Sequence, residues 1–396
     1  MAEGLPKFRE RVAVSPELAR IFYPGGVAVP YRGLVRRPEL ARTILRFGSE
    51  GARPFYSGDI AEKILASARA TGSPLEASDL ARYKVREREP LTRTFGARTV
   101  ATMPAPSAGG LMLLETLVMY GADARSPLLQ MGFGSSEYLH TIASAMRGAV
   151  ADRARIAGDP DVEPQVNAAY QQALAPEQMA ARRARIEPTR TMTGVEFKTH
   201  EGGTSHLVVA DAEGNVVSLT TTVNGPFGAR VMAGDTGILL NDELTDFSAP
   251  AEVAPFGGTN PGLNRPRPNA RPVSSMTPTI VLEHGLPILA VGGSGGTRIA
   301  TNVLQATLAR LVFDLDPTAC ISAPRIAVNG TNAEIFLEPE IAEDVRAGLR
   351  ARGEQTKDER FLQTGVQMIA WDRKPGTQLR VLAATDPRKQ GLAAAQ

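Results

Sequence analysis

Residues 203–224 read GTSHLVVADAEGNVVSLTTTVN, and this stretch decides the fold of the second half of the chain. Apolar and polar side chains alternate with a period of two in residues 205–211 and 215–223, which predicts two β-strands. The three residues between them, Ala212-Glu213-Gly214, suit a hairpin loop with glycine in the left-handed conformation. The pattern therefore predicts an antiparallel hairpin.

The length of this loop sets the register of the hairpin. Pairing of the two residues that flank the loop places Thr204 opposite Thr222 on the other strand. Because side chains alternate along a strand, Thr220, Thr222 and Asn224 then share one face. Such a polar row has two interpretations, the solvated face of an antiparallel sheet or a functional site. The residues alone leave both open.

A second hairpin and a glycine-rich turn follow. Residues 279–283 and 286–291 have strand-like composition and are joined by the two-residue turn His284-Gly285. They lead into GGSGGT at 292–297, after which apolar residues at helical spacing predict an amphipathic helix. The unsatisfied N–H groups at such a helix start suit an anion or an oxyanion. Because the spacing of a nucleotide-binding loop is absent, an oxyanion hole or a plain tight turn is favoured.

The first half of the chain has a helical pattern. Residues 38–157 are predicted to be mainly helical, with the longest helix over 136–158. Apolar residues recur at spacings of three and four, as in Leu40, Ile44 and Leu45, and are expected in the core.

Two further segments have distinct character. Residues 189–203 lose helical periodicity and collect Thr and Gly, which predicts an exposed, cleavable connector. Residues from 317 onward carry short strand patterns and one helix at 339–352, and are expected to be scaffold.

Composition excludes several classes of function. The formal net charge is only +2, so binding of nucleic acid is disfavoured. The single cysteine, Cys320, rules out an intrachain disulfide. The histidines, at 140, 200, 206 and 284, lack the spacing of a metal site, and neither a metal nor a cofactor is expected. No stretch is long and apolar enough to span a bilayer, and the first residues do not form a signal peptide.

Several motifs of the sequence occur in a characteristic order. They are FYSG at 55–58, MPAPSAGG at 103–110, GTSHLVVAD at 203–211, GILLNDE at 237–243, TDFS at 245–248, RPVSSMTPT at 271–279 and GGSGGTR at 292–298. In order and spacing they resemble the γ-glutamyltransferase family of the N-terminal-nucleophile hydrolases. The resemblance spans nearly the whole sequence.

The resemblance implies an α+β fold, a four-layer αββα sandwich in which helices enclose two stacked, mainly antiparallel sheets. It also implies a precursor that cuts itself into residues 1–203 and 204–396, which together form one structural domain. The first part is expected to be a mainly helical large chain that ends in the connector. The second is expected to be a small catalytic chain, mainly β with an α/β scaffold at its C-terminus.

The resemblance gives Thr204 two roles. The cut falls between Gly203 and Thr204, after which the Thr204 hydroxyl is the nucleophile. Its free α-amine, with a pKa of about 8 in model peptides, accepts the proton. Thr222 supports the nucleophile, in agreement with the register given by the loop. Gly295 and Gly296 match the backbone donors of an oxyanion hole.

The implied substrate is a γ-glutamyl amide such as glutathione. Asn224, Glu243 and Asp246 match positions that hold its α-amino group, and Ser274 and Ser275 match positions that bind its α-carboxylate. The acyl group would pass through an acyl-enzyme to water or to an amino acid or peptide acceptor. No cofactor or metal takes part.

The sequence departs from the family pattern at its start. A family precursor has a further upstream segment, so the chain is expected to be N-terminally truncated. That segment supplies strands and an arginine that binds the substrate carboxylate, and no residue here can be assigned to that arginine. The explanations are a late start of the gene model, which is favoured, a split gene, or decay. The chain as written predicts a cytoplasmic location, whereas the resemblance implies a periplasmic or secreted protein if the upstream segment exists.

Two other functions remain open. A related acylase or small-amide amidohydrolase of the same superfamily would keep the nucleophile and change the pocket, although Asn224, Glu243 and Asp246 favour a glutamyl α-amine. The second is an inactive truncated fragment that does not mature.

Overall fold

The computed structural model describes residues 8–30, 32–191, 194, 203–248, 262–360, 364–373 and 378–395. Contacts divide the chain into two compact units. The helical unit comprises Met1–Glu87 and Val223–Glu243, and the sheet unit comprises Arg88–Thr222 and Leu244–Gln396. This division does not coincide with the bond after residue 203, and the expected division into two chains of one domain stays a prediction.

The helices of the helical unit are α1 (Arg9–Ala13), α2 (Pro16–Phe22), α3 (Pro38–Glu50), α4 (Arg53–Ser57), α5 (Asp59–Ala70) and α6 (Ala77–Arg82). Proline stands in the first turn of α2, α3 and α4, where its missing N–H group is not needed. Ser15 caps α2, since its Oγ accepts a hydrogen bond from the N–H of Leu18 at 3.3 Å. The starts of these helices thus follow local sequence signals.

Residues 223–243 belong to the helical unit because their apolar side chains complete its core. The ring of Phe227 packs edge-on against that of Phe22, with centroids 5.1 Å apart. Ala233 is fully buried and packs with Ile60 of α5. A segment distant in sequence therefore stabilises the helices of the first 87 residues.

The orientation of α3 differs from the expectation. Ile44 and Leu45 are 60% and 73% exposed, so their prediction as core residues is wrong. Thr43 is buried instead, and its Oγ1 donates a hydrogen bond of 2.7 Å to the carbonyl oxygen of Thr236. This bond turns the polar Thr43 inward, which leaves the next two side chains on the outer face.

The strands of the sheet unit are β1 (Leu91–Phe95), β2 (Arg98–Thr102), β3 (Ser205–Ala210), β4 (Val216–Thr221), β5 (Thr279–Glu283), β6 (Leu286–Ser294), β7 (Ile326–Ala327), β8 (Glu334–Leu337), β9 (Gln355–Asp358), β10 (Gly365–Asp372) and β11 (Arg380–Thr385). Its helices are α7 (Gly109–Tyr120), α8 (Leu128–Met131), α9 (Ser136–Ile156), α10 (Gln165–Ala173), α11 (Pro176–Arg183), α12 (Ile299–Leu311), α13 (Pro317–Ser322) and α14 (Glu343–Ala351).

The main sheet has the strand order β1-β2-β5-β6-β10-β11, and all of its neighbouring strands are antiparallel. The β1–β2 hairpin falls within the stretch that the sequence predicted to be mainly helical. The sequence indicates this hairpin by two Thr-rich segments with alternating side chains on either side of Gly96. Gly96 lies in the connecting turn with a φ of 60°. The predicted hairpin of β5 and β6 is present, and both of its turn residues, His284 and Gly285, have positive φ.

The hairpin of β3 and β4 confirms the register that the loop predicts. Ser205 pairs with Thr221, and Ala210 pairs with Val216. Gly214 in the loop has a φ of 91°, the left-handed conformation expected of it.

Two consecutive glycines of β6 show how the layers stack. A Cβ on Gly292 would lie 2.2 Å from Cε1 of His206 on β3, whereas a Cβ on Gly293 would lie 3.4 Å from Cγ2 of Val303 on α12. Consecutive residues of a strand point to opposite faces of its sheet. The main sheet therefore carries the β3–β4 hairpin on one face and helix α12 on the other.

The outer face of the β3–β4 hairpin is apolar and exposed. Leu207, Val209, Val217 and Leu219 point away from the main sheet and are 43–54% exposed. The described residues do not cover this face with helices. The described residues of the sheet unit thus form a helix–sheet–sheet arrangement, and the four layers that the resemblance implies stay a prediction.

The C-terminal part of the sheet unit forms a smaller sheet, with the order β7-β8-β9. Helix α14 connects the parallel strands β8 and β9, close to the helix expected over 339–352. Among the described residues, no helix has the length and apolar character needed to cross a membrane.

Candidate active site

Thr204 lies directly before β3, on the hairpin that packs against the main sheet. It is 4% exposed, and its Oγ1 lies 3.0 Å from the Oγ1 of Thr222. This hydrogen bond joins the two positions that the loop predicts to be opposed. The Thr204 hydroxyl is therefore held in a fixed position and shielded from bulk water.

The predicted cleavage site is described only on its C-terminal side. Gly203 is partly buried and leads directly to Thr204. Most of the preceding connector, predicted over 189–203, lies outside the described residues. Its predicted exposure and cleavage stay predictions.

His206 packs beneath the nucleophile position, between the hairpin and β6. Its Nδ1 lies 2.8 Å from Thr220 Oγ1, and its Nε2 lies 3.3 Å from Ser218 Oγ. Since the Ser218 hydroxyl donates to the carbonyl oxygen of Val291 at 3.2 Å, Nε2 carries the proton and Nδ1 accepts from Thr220. Burial lowers the pKa of His206 from 6.5 to about 4, so the ring is neutral at neutral pH.

The neutral ring of His206 has a consequence for stability. Its folded-state pKa of about 4 is lower than the ordinary 6.5, so the unfolded chain takes up a proton first as the pH falls. Stability is therefore lost between pH 6.5 and pH 4. Between pH 7 and pH 5, we expect the free energy of unfolding of the unmodified chain to fall by about 2 kcal/mol more than that of His206→Gln. Urea unfolding at both pH values measures this difference, and an identical pH dependence in the two proteins would contradict it.

The glycine-rich turn leads from β6 through the 3-10 turn Gly296–Arg298 into α12. Gly295 has a φ of 133° and Gly296 a φ of 59°, conformations that residues with side chains rarely adopt. Within the described part of the chain, their N–H groups donate to no acceptor. Two backbone donors at a helix start are thus available to a developing negative charge.

Lys389 connects the nucleophile position with this turn. Its Nζ donates hydrogen bonds to the carbonyl oxygen of Thr204 and, at 3.1 Å, to the Oγ of Ser294. Ser294 directly precedes Gly295. The predicted nucleophile and the predicted oxyanion donors therefore lie next to each other.

Ser274 and Ser275 lie in the segment before β5 and contact the motif at 103–110. The N–H of Ala108 donates to the carbonyl oxygen of Ser274 at 2.9 Å, and the N–H of Ser274 donates to that of Pro106 at 3.3 Å. Ser275 is 8% exposed. Two motifs far apart in the sequence thus meet, and their hydrogen bonds fix the backbone of Ser274.

Asp246 ends the 3-10 turn Glu243–Asp246 and is held by Asn264. Asn264 Nδ2 donates to the carbonyl oxygen of Asp246 at 2.8 Å, and Asn264 Oδ1 accepts from the N–H of Val273 at 3.0 Å. Burial lowers the pKa of Arg153 on α9, and the negative charge of Asp246 opposes this shift. The Asp246 carboxylate therefore lies near a protein cation.

Asn224 and Glu243 belong to the helical unit, whereas the other predicted site residues belong to the sheet unit. Asn224 is 6% exposed with a φ of 66°, and its Nδ2 donates to the carbonyl oxygen of Asp242 at 3.4 Å. The N–H of Glu243 donates to Asn241 Oδ1 at 3.0 Å. Within the helical unit, both residues are thus fixed by the loop at 241–243.

Three residues that lie near predicted site residues of the sheet unit were not identified from the sequence. They are His206, Lys389 and Arg153. A single buried cation or histidine has no spacing pattern, so its partners appear only once the strands are paired. The described residues contain no group of three or more His, Cys, Asp or Glu side chains that could hold a metal ion.

The whole chain, residues 1–396, matches the family model of gamma-glutamyltranspeptidase. It is 34% identical over 379 residues to the glutathione hydrolase proenzyme of Pseudomonas sp. (strain A14), covering 92% of this chain and 64% of that protein. It is 32% identical over 364 residues to the glutathione hydrolase proenzyme of Escherichia coli (strain K12), covering 90% of this chain and 62% of that protein. The chain thus spans slightly less than two thirds of the length of these relatives.

The fold is similar to that of a solved acylase. The crystal structure of cephalosporin acylase from Bacillus halodurans superposes with a TM-score of 0.84 at 22% identity, covering 100% of this chain and 70% of that chain. At this identity the likeness concerns the fold alone, which is a mixed α/β arrangement. Together with the family match over its full length, these findings show that the chain belongs to the gamma-glutamyltranspeptidase family.

Proposed function

We propose that the protein is a self-cleaving γ-glutamyltransferase and glutathione hydrolase whose nucleophile is Thr204. The observation that carries this proposal is the hydrogen bond between the hydroxyl groups of the buried Thr204 and the partly buried Thr222, 3.0 Å apart, together with the link from Thr204 through Lys389 to the glycine-rich turn. A hydroxyl, a neighbouring hydroxyl and two backbone donors are the groups that acyl transfer requires. Family membership supports the same assignment.

Self-cleavage would begin with the Thr204 hydroxyl. Its oxygen attacks the carbonyl carbon of Gly203, the peptide bond breaks, and the Thr204 nitrogen takes up the proton. Water then hydrolyses the resulting ester, which leaves a carboxylate on Gly203 and restores the hydroxyl. The product is a chain that begins with a free α-amine.

In turnover, the α-amine would accept the proton of the Thr204 hydroxyl as this attacks a γ-glutamyl amide. The N–H groups of Gly295 and Gly296 stabilise the oxyanion, and the departing amine takes the proton. Glutathione is the proposed substrate, and its leaving amine is cysteinylglycine. Water, an amino acid or a peptide then accepts the acyl group from the ester.

The residues proposed to bind the substrate are complementary to its charged groups. Glu243 and Asp246 are carboxylates suited to an α-ammonium group, and Asn224 adds an amide. Ser274 and Ser275 would donate to the α-carboxylate. These roles come from the match to the family's motifs.

The same proposal includes the finer features of the fold. The mature protein would consist of residues 1–203 and 204–396 within one αββα sandwich. The exposed apolar face of the β3–β4 hairpin is compatible with a further layer.

A related acylase activity is the second candidate, because a solved cephalosporin acylase has the same fold. A coloured γ-glutamyl anilide and a simple acyl anilide distinguish the two candidates. We expect hydrolysis of the γ-glutamyl compound to be at least about 100-fold faster, since buried polar groups discriminate strongly against a substrate that lacks their partners. Hydrolysis of only the acyl compound would overturn the choice. An inactive fragment would hydrolyse neither and would persist as one band on a denaturing gel.

A further inference from the structure

Lys389 lies in the C-terminal tail, which the sequence predicts to be scaffold. We propose that Lys389 is a positioning residue that holds the carbonyl group of Thr204 and, by its positive charge, keeps the neighbouring α-amine neutral in the cleaved enzyme. This inference rests on the proposed function, because it requires a free amine at residue 204.

The contacts of the Lys389 ammonium group are unusual for a lysine. It donates to a backbone carbonyl oxygen of Thr204 and to the Ser294 hydroxyl, both uncharged. No carboxylate among the described residues forms an ion pair with it. A cation without a counter-ion acts on every charge nearby, and the nearest titratable group after cleavage is the new α-amine.

The tail presents Lys389 at this place because a buried ion network fixes the preceding residues. Asp386 is 1% exposed; its Oδ2 accepts from the N–H of Val366 at 2.9 Å and pairs with Arg325 at 2.6 Å. Arg388 pairs with the carboxylate of Glu338. These contacts attach residues 386–388 to several elements of the sheet unit, so the position of Lys389 is determined by the fold.

The start of β10 leaves room for the aliphatic part of Lys389. A Cβ on Gly365 would lie 3.0 Å from the Cβ of Lys389, a tight contact that glycine avoids. The partly buried lysine side chain therefore passes along the start of β10 and reaches the carbonyl oxygen of Thr204.

The expected electrostatic effect follows from covalent geometry. The nitrogen and carbonyl oxygen of Thr204 are separated by only two atoms, so Nζ lies within about 6 Å of the α-amine. At an effective dielectric constant of about 20, a like charge at this distance lowers a pKa by about two units, and partial exposure and salt reduce this to about one. Burial also lowers the pKa of Lys389 itself.

The other charged groups around Thr204 do not replace this effect. Strands β4 and β6 carry no titratable side chain. His206 on β3 is neutral above about pH 4. Asp386 and Arg388 in the tail, Arg298 after the glycine-rich turn and Asp372 on β10 all form ion pairs with other residues.

The role of the charge is confined to the mature enzyme. In the precursor, the nitrogen of residue 204 is an amide and cannot titrate. Loss of the Lys389 charge is therefore expected to spare self-cleavage and to change the pH dependence of turnover.

The test compares Lys389→Met, which keeps an unbranched side chain one atom shorter and removes the charge, with Lys389→Arg, which keeps the charge. Lys357→Gln is the matched control, because Lys357 lies on β9 and pairs with Glu334. Self-cleavage is followed on denaturing gels, and kcat and KM for a γ-glutamyl anilide are measured from pH 5 to pH 10. We expect Lys389→Met to cleave itself, with the acidic limb of its kcat profile raised by about one pH unit and a roughly tenfold loss of kcat at pH 6 that nearly disappears at pH 9. Lys389→Arg and Lys357→Gln are expected to have the same acidic limb of the kcat profile as the unmodified protein.

Two results would overturn the inference while leaving the proposed function intact. One is a fully cleaved Lys389→Met enzyme whose acidic limb has not moved. The other is loss of self-cleavage in both Lys389 variants but not in Lys357→Gln, which assigns Lys389 a structural role. If the unmodified chain and Lys357→Gln neither cleave nor turn over, the proposed function itself fails, and the inference fails with it.

Discussion

Thr204→Ala is expected to remain a single uncleaved chain and to hydrolyse a γ-glutamyl anilide at least about a thousandfold more slowly than the unmodified protein. In the proposed mechanism, one residue supplies both the attacking oxygen and, after cleavage, the base, so its loss removes two functions at once. The site offers no substitute, because the partner hydroxyl of Thr222 has no free amine next to it. Denaturing gels, N-terminal mass spectrometry and anilide release measure the two effects separately.

Two matched variants make this result specific. Thr204→Ser keeps the hydroxyl and is expected to cleave and to retain activity within about tenfold. Thr221→Ala removes an exposed threonine from the same hairpin, on the opposite face of β4, and is expected to change neither property. Cleavage after Gly203 in Thr204→Ala, or unchanged turnover, would exclude Thr204 as the nucleophile.

Gly295→Ala is expected to lower kcat by about 100- to 1,000-fold with a smaller change in KM. The φ of 133° at Gly295 is strained for alanine, and the added Cβ would lie 2.8 Å from Cγ2 of Thr364. The backbone must therefore shift, which moves the N–H groups away from the oxyanion. Because the proposed oxyanion donors would act mainly in the transition state, the loss is expected in kcat.

Gly285→Ala separates backbone strain from the loss of the donors. Gly285 has a φ of 79°, but a Cβ there would meet no atom within 4 Å. This variant is expected to lose about 1 kcal/mol of stability and no activity. If Gly295→Ala retained kcat, or if both variants lost it equally, the glycine-rich turn would not be the oxyanion hole.

Local patterns in the sequence predicted the backbone geometry well where the chain folds back on itself. The length of the three-residue loop alone gives the register that places Thr204 opposite Thr222. Side chains alternate along a strand, so a shift of the pairing by one residue would turn all of them to the other face. The left-handed glycine of the loop, both residues of the second turn and the helix after the glycine-rich turn are confirmed for the same reason. These features depend only on neighbours within about twenty residues.

Features that depend on contacts between residues far apart in the chain could not be predicted from the sequence. The inward orientation of Thr43 follows from a carbonyl group 193 residues later in the chain. In the sequence, Lys389 resembles a solvent-exposed tail residue. Its contacts with Gly365 of β10 and with Thr204, which precedes β3, become evident only in the folded chain. The packing of residues 223–243 against the first helices is likewise a tertiary contact, which the hydrophobic periodicity of the sequence does not reveal.

The apolar stripe of Leu207, Val209, Val217 and Leu219 lies on the same hairpin as Thr204, the proposed nucleophile, since alternate side chains of a strand point to opposite faces. A detergent, a chromatography resin or a second protein molecule that binds to this stripe therefore binds to the same hairpin that positions Thr204. Only the thickness of one β-hairpin would then separate the bound molecule from the hydroxyl of Thr204.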